Sequence, residues 1–181
     1  MPDKPNPPVT AISGSNVLIS WDLPDNRGSP ITAYVVKIRE SDDVSFTTAV
    51  EDCDGSNLAV VSARSCFVQI VTLKLAPFNI AWGSEVFAKV TAINIYGESE
   101  ESEEGNNAII LTVPDAPLNL IGVESLTNGV QIGLTWQIGA FEGGTEVIDY
   151  RLWSDQAKGS YIVIAENILG TDFIVTSLTT G

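Results

Sequence analysis

Apolar and polar residues alternate with a period of two along most of this 181-residue chain. In the stretch NVLISWDL the apolar positions are Val17, Ile19, Trp21 and Leu23. Alternation of this kind is typical of β-strands, whose successive side chains point to opposite faces. It predicts strands at 16–23, 31–40 and 84–95, divided by segments rich in Gly, Pro, Asn and Asp. No stretch keeps helical spacing over several turns, so the sequence predicts an all-β chain.

The same pattern occurs twice. A Pro-Asp pair begins each copy, at Pro2 and at Pro114, and VQIGLTWQI (130–138) matches the strand around Trp21. GTEVIDYRLW (144–153) matches GSPITAYVVK (28–37), which aligns Tyr150 with Tyr34. We therefore predict two β-sandwich domains, at 1–113 and 114–181, each with strands every 8–12 residues. Prolines in the junction LTVPDAPLNL restrict the backbone there, which favours a stiff spacer.

Each copy resembles a fibronectin type III domain. The resemblance rests on the proline-rich first strands PNPPVTAI and PDAPLNLIGV, on the paired tryptophans and tyrosines, and on a strand ending formed by Ala92, Asn94, Gly97 and Ser99. It implies two immunoglobulin-like sandwiches in tandem. One departure is Val86, which stands where the family has a tyrosine that forms a corner hydrogen bond. The text around CDGSN and VSARSC also resembles repeats in large surface and secreted proteins of ciliates and other protists.

The second copy contains no counterpart of AINIYGES (92–99). Its last stretch, DFIVTSLTTG (172–181), corresponds to the strand that comes before that motif in the family. The second sandwich is therefore expected to lack its last two strands, leaving a core around Trp136, Tyr150 and Leu152 without cover. Protein partners would supply that cover, either other copies or the continuation of the same chain.

The first copy contains both cysteines, Cys53 and Cys66, on either side of a long insert. The resemblance to extracellular repeats implies that they form a disulfide, which would fix this insert to the sandwich. The alternative is a pair of reduced thiols in a cytosolic protein.

The charge and composition exclude several classes of function. With 9 basic and 23 acidic residues, the net charge of −14 disfavours nucleic acid and membrane surfaces as partners. No apolar run is long enough to insert in a membrane. There is no histidine, which removes the commonest general base and metal ligand, and no phosphate-binding motif occurs. We predict no enzyme activity, no catalytic residue, no metal and no cofactor.

The remaining candidates are surfaces for protein partners. Acidic residues are concentrated between 98 and 104, where a solvated loop tip is the ordinary interpretation. Alternation turns Trp153 outward from its strand, and Phe87 and Ile93 outward from theirs. The proposed interface residues are Trp153, Phe87, Ile93, Glu100, Glu101, Glu103 and Glu104. The sequence thus favours a structural or adhesive module of an extracellular or cell-surface protein; a receptor ectodomain and an intracellular scaffold are the alternatives.

Overall fold

The computed structural model describes residues 1–155 and 158–176. The chain forms two compact units, here called unit 1 (Met1–Leu111) and unit 2, which begins at Thr112. Strands dominate both units, which confirms the predicted all-β class.

Unit 1 contains two antiparallel sheets. The first has the order β1-β2-β5 and consists of β1 (Val9–Ser13), β2 (Asn16–Ser20) and β5 (Ser65–Gln69). The second has the order β4-β3-β6, and two further strands, β7 and β8, both pair with β6. Its strands are β3 (Ala33–Arg39), β4 (Phe46–Thr48), β6 (Glu85–Asn94), β7 (Gly97–Glu98) and β8 (Gly105–Ile109). This is the strand order implied by the fibronectin type III resemblance.

The core of unit 1 lies between these sheets and follows the alternation of the sequence. The inward positions of the central strands are buried, namely Val17, Ile19, Tyr34, Val36, Ile38, Val86, Ala88, Val90 and Ala92. Trp21 packs edge-on against Tyr34, with their ring centroids 5.0 Å apart. Aromatic pairs of this geometry contribute beyond the apolar area they bury. The paired aromatic positions of the sequence pattern therefore mark the centre of the core.

Two short helices were not predicted. The first, α1 (Leu58–Ala63), lies between the two cysteines and begins where the Asn57 side chain accepts the Ala59 N–H. The second, α2 (Ile70–Lys74), follows β5 directly. Each spans fewer than two turns, and α1 buries none of its residues, so neither can show a repeating apolar stripe in sequence.

Unit 2 repeats only part of this plan. One sheet has the order β9-β10-β13, formed by β9 (Leu118–Asn128), β10 (Gln131–Gln137) and β13 (Asp172–Thr176). The other sheet contains just β11 (Tyr150–Ser154) and β12 (Ile162–Ile168). Within the described residues, unit 2 has no counterpart of β6 to β8. The predicted last strand begins at Asp172, and its final positions, 177–181, lie outside the described residues.

Candidate interaction surfaces

The two cysteines of unit 1 are joined by a disulfide bond. Cys53 follows β4 and Cys66 lies in β5, 13 positions later, with their Cα atoms 5.3 Å apart. Both residues are buried in the core. The bond therefore attaches the segment that carries α1 to the interior of the sandwich, and closure of such a loop restricts the unfolded chain.

Asp52, beside the disulfide, holds the same segment to α2. Its carboxylate accepts the Thr72 hydroxyl at 2.7 Å and the Gln69 backbone N–H at 3.1 Å. Burial alone would raise the pKa of Asp52, but the hydrogen bonds from Thr72 and Gln69 outweigh it and hold the pKa below its usual range. The role of this aspartate is therefore structural, because both of its carboxylate oxygens accept hydrogen bonds from protein donors.

The segment between the cysteines also lies directly on β3. The Tyr34 N–H donates to the Gly55 carbonyl at 2.9 Å. A Cβ atom on Gly55 would lie 1.8 Å from the Tyr34 carbonyl oxygen, so this close approach requires glycine. The insert is therefore a packed part of unit 1 and not a free loop.

The acidic run between β7 and β8 keeps most of its glutamates exposed, as expected of a solvated segment, but its backbone is held to β6. The Ser99 and Ser102 hydroxyls accept the backbone N–H groups of Ala92 and Val90, each at 3.0 Å. Both serines are buried. The serine hydroxyls accept the β6 N–H groups that the carbonyls of a neighbouring strand would otherwise accept. Residues 99–104 therefore follow β6 closely, and the carboxylates of Glu101 and Glu104 lie over the sheet.

Two of these carboxylates neutralise a cationic strip on the outer face of the same sheet. Lys37 on β3 stands directly opposite Lys89 on β6, a pairing of like charges. Glu101 bridges both ammonium groups, at 2.8 Å from Lys37 and 3.7 Å from Lys89. Glu104 lies 3.7 Å from Lys89 as well. Like charges directly opposite in a sheet destabilise it, so the acidic run offsets that repulsion.

The other proposed interface residues of unit 1 differ in their exposure and in the contacts that they already make. Phe87 is half-buried beneath Arg39, whose guanidinium carbon lies 3.6 Å from the ring centroid. Glu103 pairs with Lys4 at 2.5 Å, Glu100 is exposed, and Ile93 is half-buried. Their role in binding stays a prediction, and much of the set is already engaged by its own sheet.

An exposed apolar pair at one turn of unit 1 was not among the predicted interface residues. Ile95 and Tyr96 form the two-residue tip between β6 and β7, and they are 77% and 71% exposed. Asn94 fixes the tip because its side chain accepts the Tyr96 N–H at 2.9 Å and donates to the Asn26 carbonyl at 3.1 Å. Two bulky residues between Asn and Gly at a hairpin turn were the signal available in the sequence.

In unit 2, Trp153 lies on β11 and is 50% exposed. The next residue on the other face, Leu152, is buried with Trp136 and Ile168 in a small core. The structure thus gives the two faces of β11 the orientation that the alternation predicted, while the role of Trp153 as an interface residue stays a prediction.

Nothing in the described part of the chain forms a group of three or more His, Cys, Asp or Glu side chains that could hold a metal ion. None of the described helices has the length and apolar character needed to cross a membrane.

Comparison with known proteins gives two sequence relatives. The chain is similar to the human protein "cell adhesion molecule-related/down-regulated by oncogenes", with 32% identity over 114 residues, or 63% of this chain and 8% of that protein. It is 26% identical to titin of Drosophila melanogaster over 157 residues, or 82% of this chain and 1% of titin. The chain therefore spans only a small part of the length of either relative. No protein-family model matches it.

Solved structures were compared as well. The FN1-FN3 domains of chicken CNTN1 align over 96% of this chain and 56% of theirs, with 16% identity and a TM-score of 0.41. Titin kinase with its flanking domains aligns over 75% of this chain and 27% of that structure, with 15% identity and a TM-score of 0.44. The relatives found, human and Drosophila, give no support to the narrower resemblance to protist surface proteins.

Proposed function

We propose that this chain is a non-catalytic structural and adhesive module of a larger extracellular or cell-surface protein or fibre, acting as a spacer and an interaction surface. The observation that carries the proposal is the buried disulfide between Cys53 and Cys66. Structural disulfides form and persist in oxidising compartments and are rare in the cytosol. The similarity to a human protein named as cell adhesion molecule-related agrees with this location.

An intracellular scaffold is the second candidate, because the similarity to titin covers 82% of the chain. The two candidates differ in the redox state of the cysteines, since a cytosolic module would carry reduced thiols. In the reduced form the buried thiols would serve only as small apolar core residues.

Mass spectrometry of protein from its native source, digested without reductant after alkylation of free thiols, separates these candidates. We expect the peptides that contain Cys53 and Cys66 to be recovered as one linked species. Reduction with dithiothreitol should release them and lower the free energy of unfolding by about 3 kcal/mol. Two alkylated cysteines in the unreduced sample would instead favour the intracellular scaffold.

The spacer role rests on the junction between the units. Pro114 and Pro117 lie at the start of unit 2, between the end of β8 at Ile109 and the start of β9 at Leu118, and each restricts its own φ and the residue before it. Small-angle X-ray scattering of the chain and of a Pro114→Gly/Pro117→Gly variant tests this. We expect the variant to show a broader distribution of interatomic distances at equal stability; identical profiles would contradict a stiffening role for these prolines.

A further inference from the structure

An open groove with a volume of about 600 Å³ lies in unit 1, with α2 forming one of its walls. Val71 of that helix is 58% exposed, and Leu111, two residues after β8, is 45% exposed. Of the described residues that line the groove, Lys74 alone is charged. Mostly apolar walls with a single placed polar group are the usual composition of a binding site. The apolar side chains of the lining belong to Ile70, Val71, Trp82 and Leu111.

The position of the Lys74 ammonium group is fixed by the core. Lys74 is the last residue of α2, and its Nζ donates to the Ile80 carbonyl at 2.6 Å and lies 4.7 Å from the ring centroid of Trp82. The Ile80 N–H in turn donates to the Leu73 carbonyl at 2.9 Å. Leu73 and Ile80 are both buried in the core. Because the cation is already in place, binding at this groove does not have to order a free lysine side chain.

Lys74 differs from the other lysines of unit 1 in lacking an anionic partner. Lys4, Lys37 and Lys89 each form an ion pair with a glutamate. Among the described residues no carboxylate pairs with Lys74, whose hydrogen bond reaches only a neutral carbonyl. Burial lowers the pKa of Lys74, and no nearby carboxylate offsets this effect. A half-buried cation without a counter-ion makes the groove complementary in charge to an anion.

The anion that fits the groove carries an apolar group beside its charge. An inorganic anion at Lys74 would leave Val71 and Leu111 exposed, whereas a carboxylate next to a bulky apolar side chain would also cover both. A second copy of this chain fits less well, because each copy has a net charge of −14 and the copies repel one another. The charge and the walls together therefore favour a segment of a different protein.

We propose that this groove binds a protein partner through an extended segment in which one carboxylate is followed by a bulky apolar residue. The carboxylate pairs with the Lys74 ammonium group, and the apolar side chain packs against Val71 and Leu111. This binding site deepens the proposed function, because it gives the interaction surface a location and a class of partner. It rests on the protein-binding part of that function and not on the extracellular location.

The probes are two short peptides, acetyl-Ala-Glu-Phe-Leu-Ala-amide and its counterpart with Gln in place of Glu. An NMR titration of the full chain follows the Lys74 side chain, the backbone amides of α2 and the indole N–H of Trp82. We expect the Glu peptide to shift these signals and to bind roughly tenfold more tightly than the Gln peptide. The reason is that the Gln peptide replaces a charge-assisted hydrogen bond to the ammonium group by a neutral one.

Variants of the chain separate the role of the charge from that of the apolar wall. Lys74→Gln keeps a donor for the Ile80 carbonyl but removes the cation, so it should bind both peptides equally, while Lys74→Arg should still prefer the Glu peptide. Lys158→Gln, at an exposed position of unit 2, is the matched control and should behave like the wild type. Val71→Ser should weaken both peptides alike, by roughly three- to tenfold. Amide exchange in β3 shows that unit 1 is folded in each variant.

Three results would overturn the proposal. The first is equal binding of the two peptides by the wild type, or no shift of the groove signals at millimolar Glu peptide. The second is a set of shifts at Lys37 and Lys89 instead of Lys74, which would place the carboxylate on the cationic strip. The third is a dimer in analytical ultracentrifugation that Lys74→Gln abolishes, which would identify a second copy as the occupant. None of these results depends on the pairing of the cysteines, so the extracellular location is tested separately by mass spectrometry.

Discussion

The hydroxyl of Ser102 accepts a hydrogen bond from the backbone N–H of Val90 at 3.0 Å, in the middle of β6. The same hydroxyl donates to the Glu103 carbonyl at 2.8 Å, so both of its hydrogen-bonding functions are used within the sheet. Ser99 does the same for Ala92 three positions earlier. In the repeated triplet Ser-Glu-Glu, the serine hydroxyl therefore binds the sheet, and the second glutamate of each triplet, Glu101 or Glu104, pairs with the cationic strip.

Removing one of these hydroxyls should loosen β6 locally. Ser102→Ala leaves the buried N–H of Val90 without a partner, which we expect to lower the free energy of unfolding of unit 1 by about 1–3 kcal/mol. The sharpest measurement is the exchange rate of the Val90 amide, which should rise far more than the rates in β2. Ser13→Ala, at an exposed position of β1, is the control and should change neither quantity. Unchanged protection of Val90 in Ser102→Ala would contradict the assigned role.

The ion pairs of this surface could not be predicted from the sequence. Lys37 lies on β3, Lys89 lies on β6 and Glu101 lies between β7 and β8, so their approach depends on the register of β3 against β6. The period-two pattern predicts which face a residue occupies, but it does not predict which charge lies beside it. In the sequence alone, the acidic run has the composition of a solvated loop. The register of β3 against β6 brings Lys37 and Lys89 together, and only then can Glu101 and Glu104 be seen to neutralise them.

The parts of the fold that could be predicted are those governed by alternation. β6 was expected at 84–95 and spans Glu85–Asn94, because its inward residues repeat strictly. α1 was missed because six residues without a buried face leave no period to detect. Thr91, on the outward face of β6, is buried all the same, since burial on an outer face depends on the neighbouring side chains. The period-two pattern thus predicts which residues are buried in the core more reliably than it predicts the contacts of surface residues, on which function depends.

Asp52 provides a pH-dependent prediction. Its pKa is lowered in the folded state, because the hydrogen bonds from Thr72 and Gln69 outweigh the effect of burial. The stability contributed by its ionised form is therefore complete above the unfolded-state pKa of about 3.9, and it is lost as the pH falls through the lower folded-state pKa. Asp52→Asn should cost about 1–2 kcal/mol at pH 7 and progressively less below pH ~4.

Denaturant unfolding of the wild type and of Asp52→Asn at a series of pH values measures this difference directly. Subtracting the free energy of unfolding of the variant from that of the wild type at each pH cancels the contribution of the other carboxylates, because these titrate alike in both proteins. Glu51→Gln, at the exposed neighbouring position, should show no comparable loss at pH 7. A difference that stays constant from pH 7 to pH 2 would show that Asp52 acts through its shape and not through its charge.

Replacing Trp21 or Trp153 by alanine should show which of the two supports a core and which lies on the surface. Trp21 is 6% exposed between the sheets, so Trp21→Ala should destabilise unit 1 by about 3–5 kcal/mol through the cavity it leaves. Trp153→Ala removes a half-exposed side chain and should change the stability of unit 2 by less than about 1 kcal/mol. Urea unfolding followed by hydrogen exchange in each unit measures the two effects separately. Loss of the strands of unit 2 in Trp153→Ala would show that this residue supports the core.

The contact between Gly55 and Tyr34 gives the most demanding prediction for the disulfide-bound segment. A methyl group on Gly55 would lie 1.8 Å from the Tyr34 carbonyl oxygen, a backbone atom that cannot move without displacing β3. Gly55→Ala should therefore break the hydrogen bond from the Tyr34 N–H to the Gly55 carbonyl and destabilise unit 1 by about 3 kcal/mol or more. Gly129→Ala, where the added methyl group would meet no atom within 4 Å, is the matched control and should be nearly neutral. The measurement is denaturant unfolding of both variants, with exchange of the Tyr34 amide as the local readout.

If Gly55→Ala keeps wild-type stability and a protected Tyr34 amide, the segment between the cysteines does not pack against β3 in solution. If the amide is exposed while the disulfide stays intact, the covalent bond alone does not hold the segment on the sandwich.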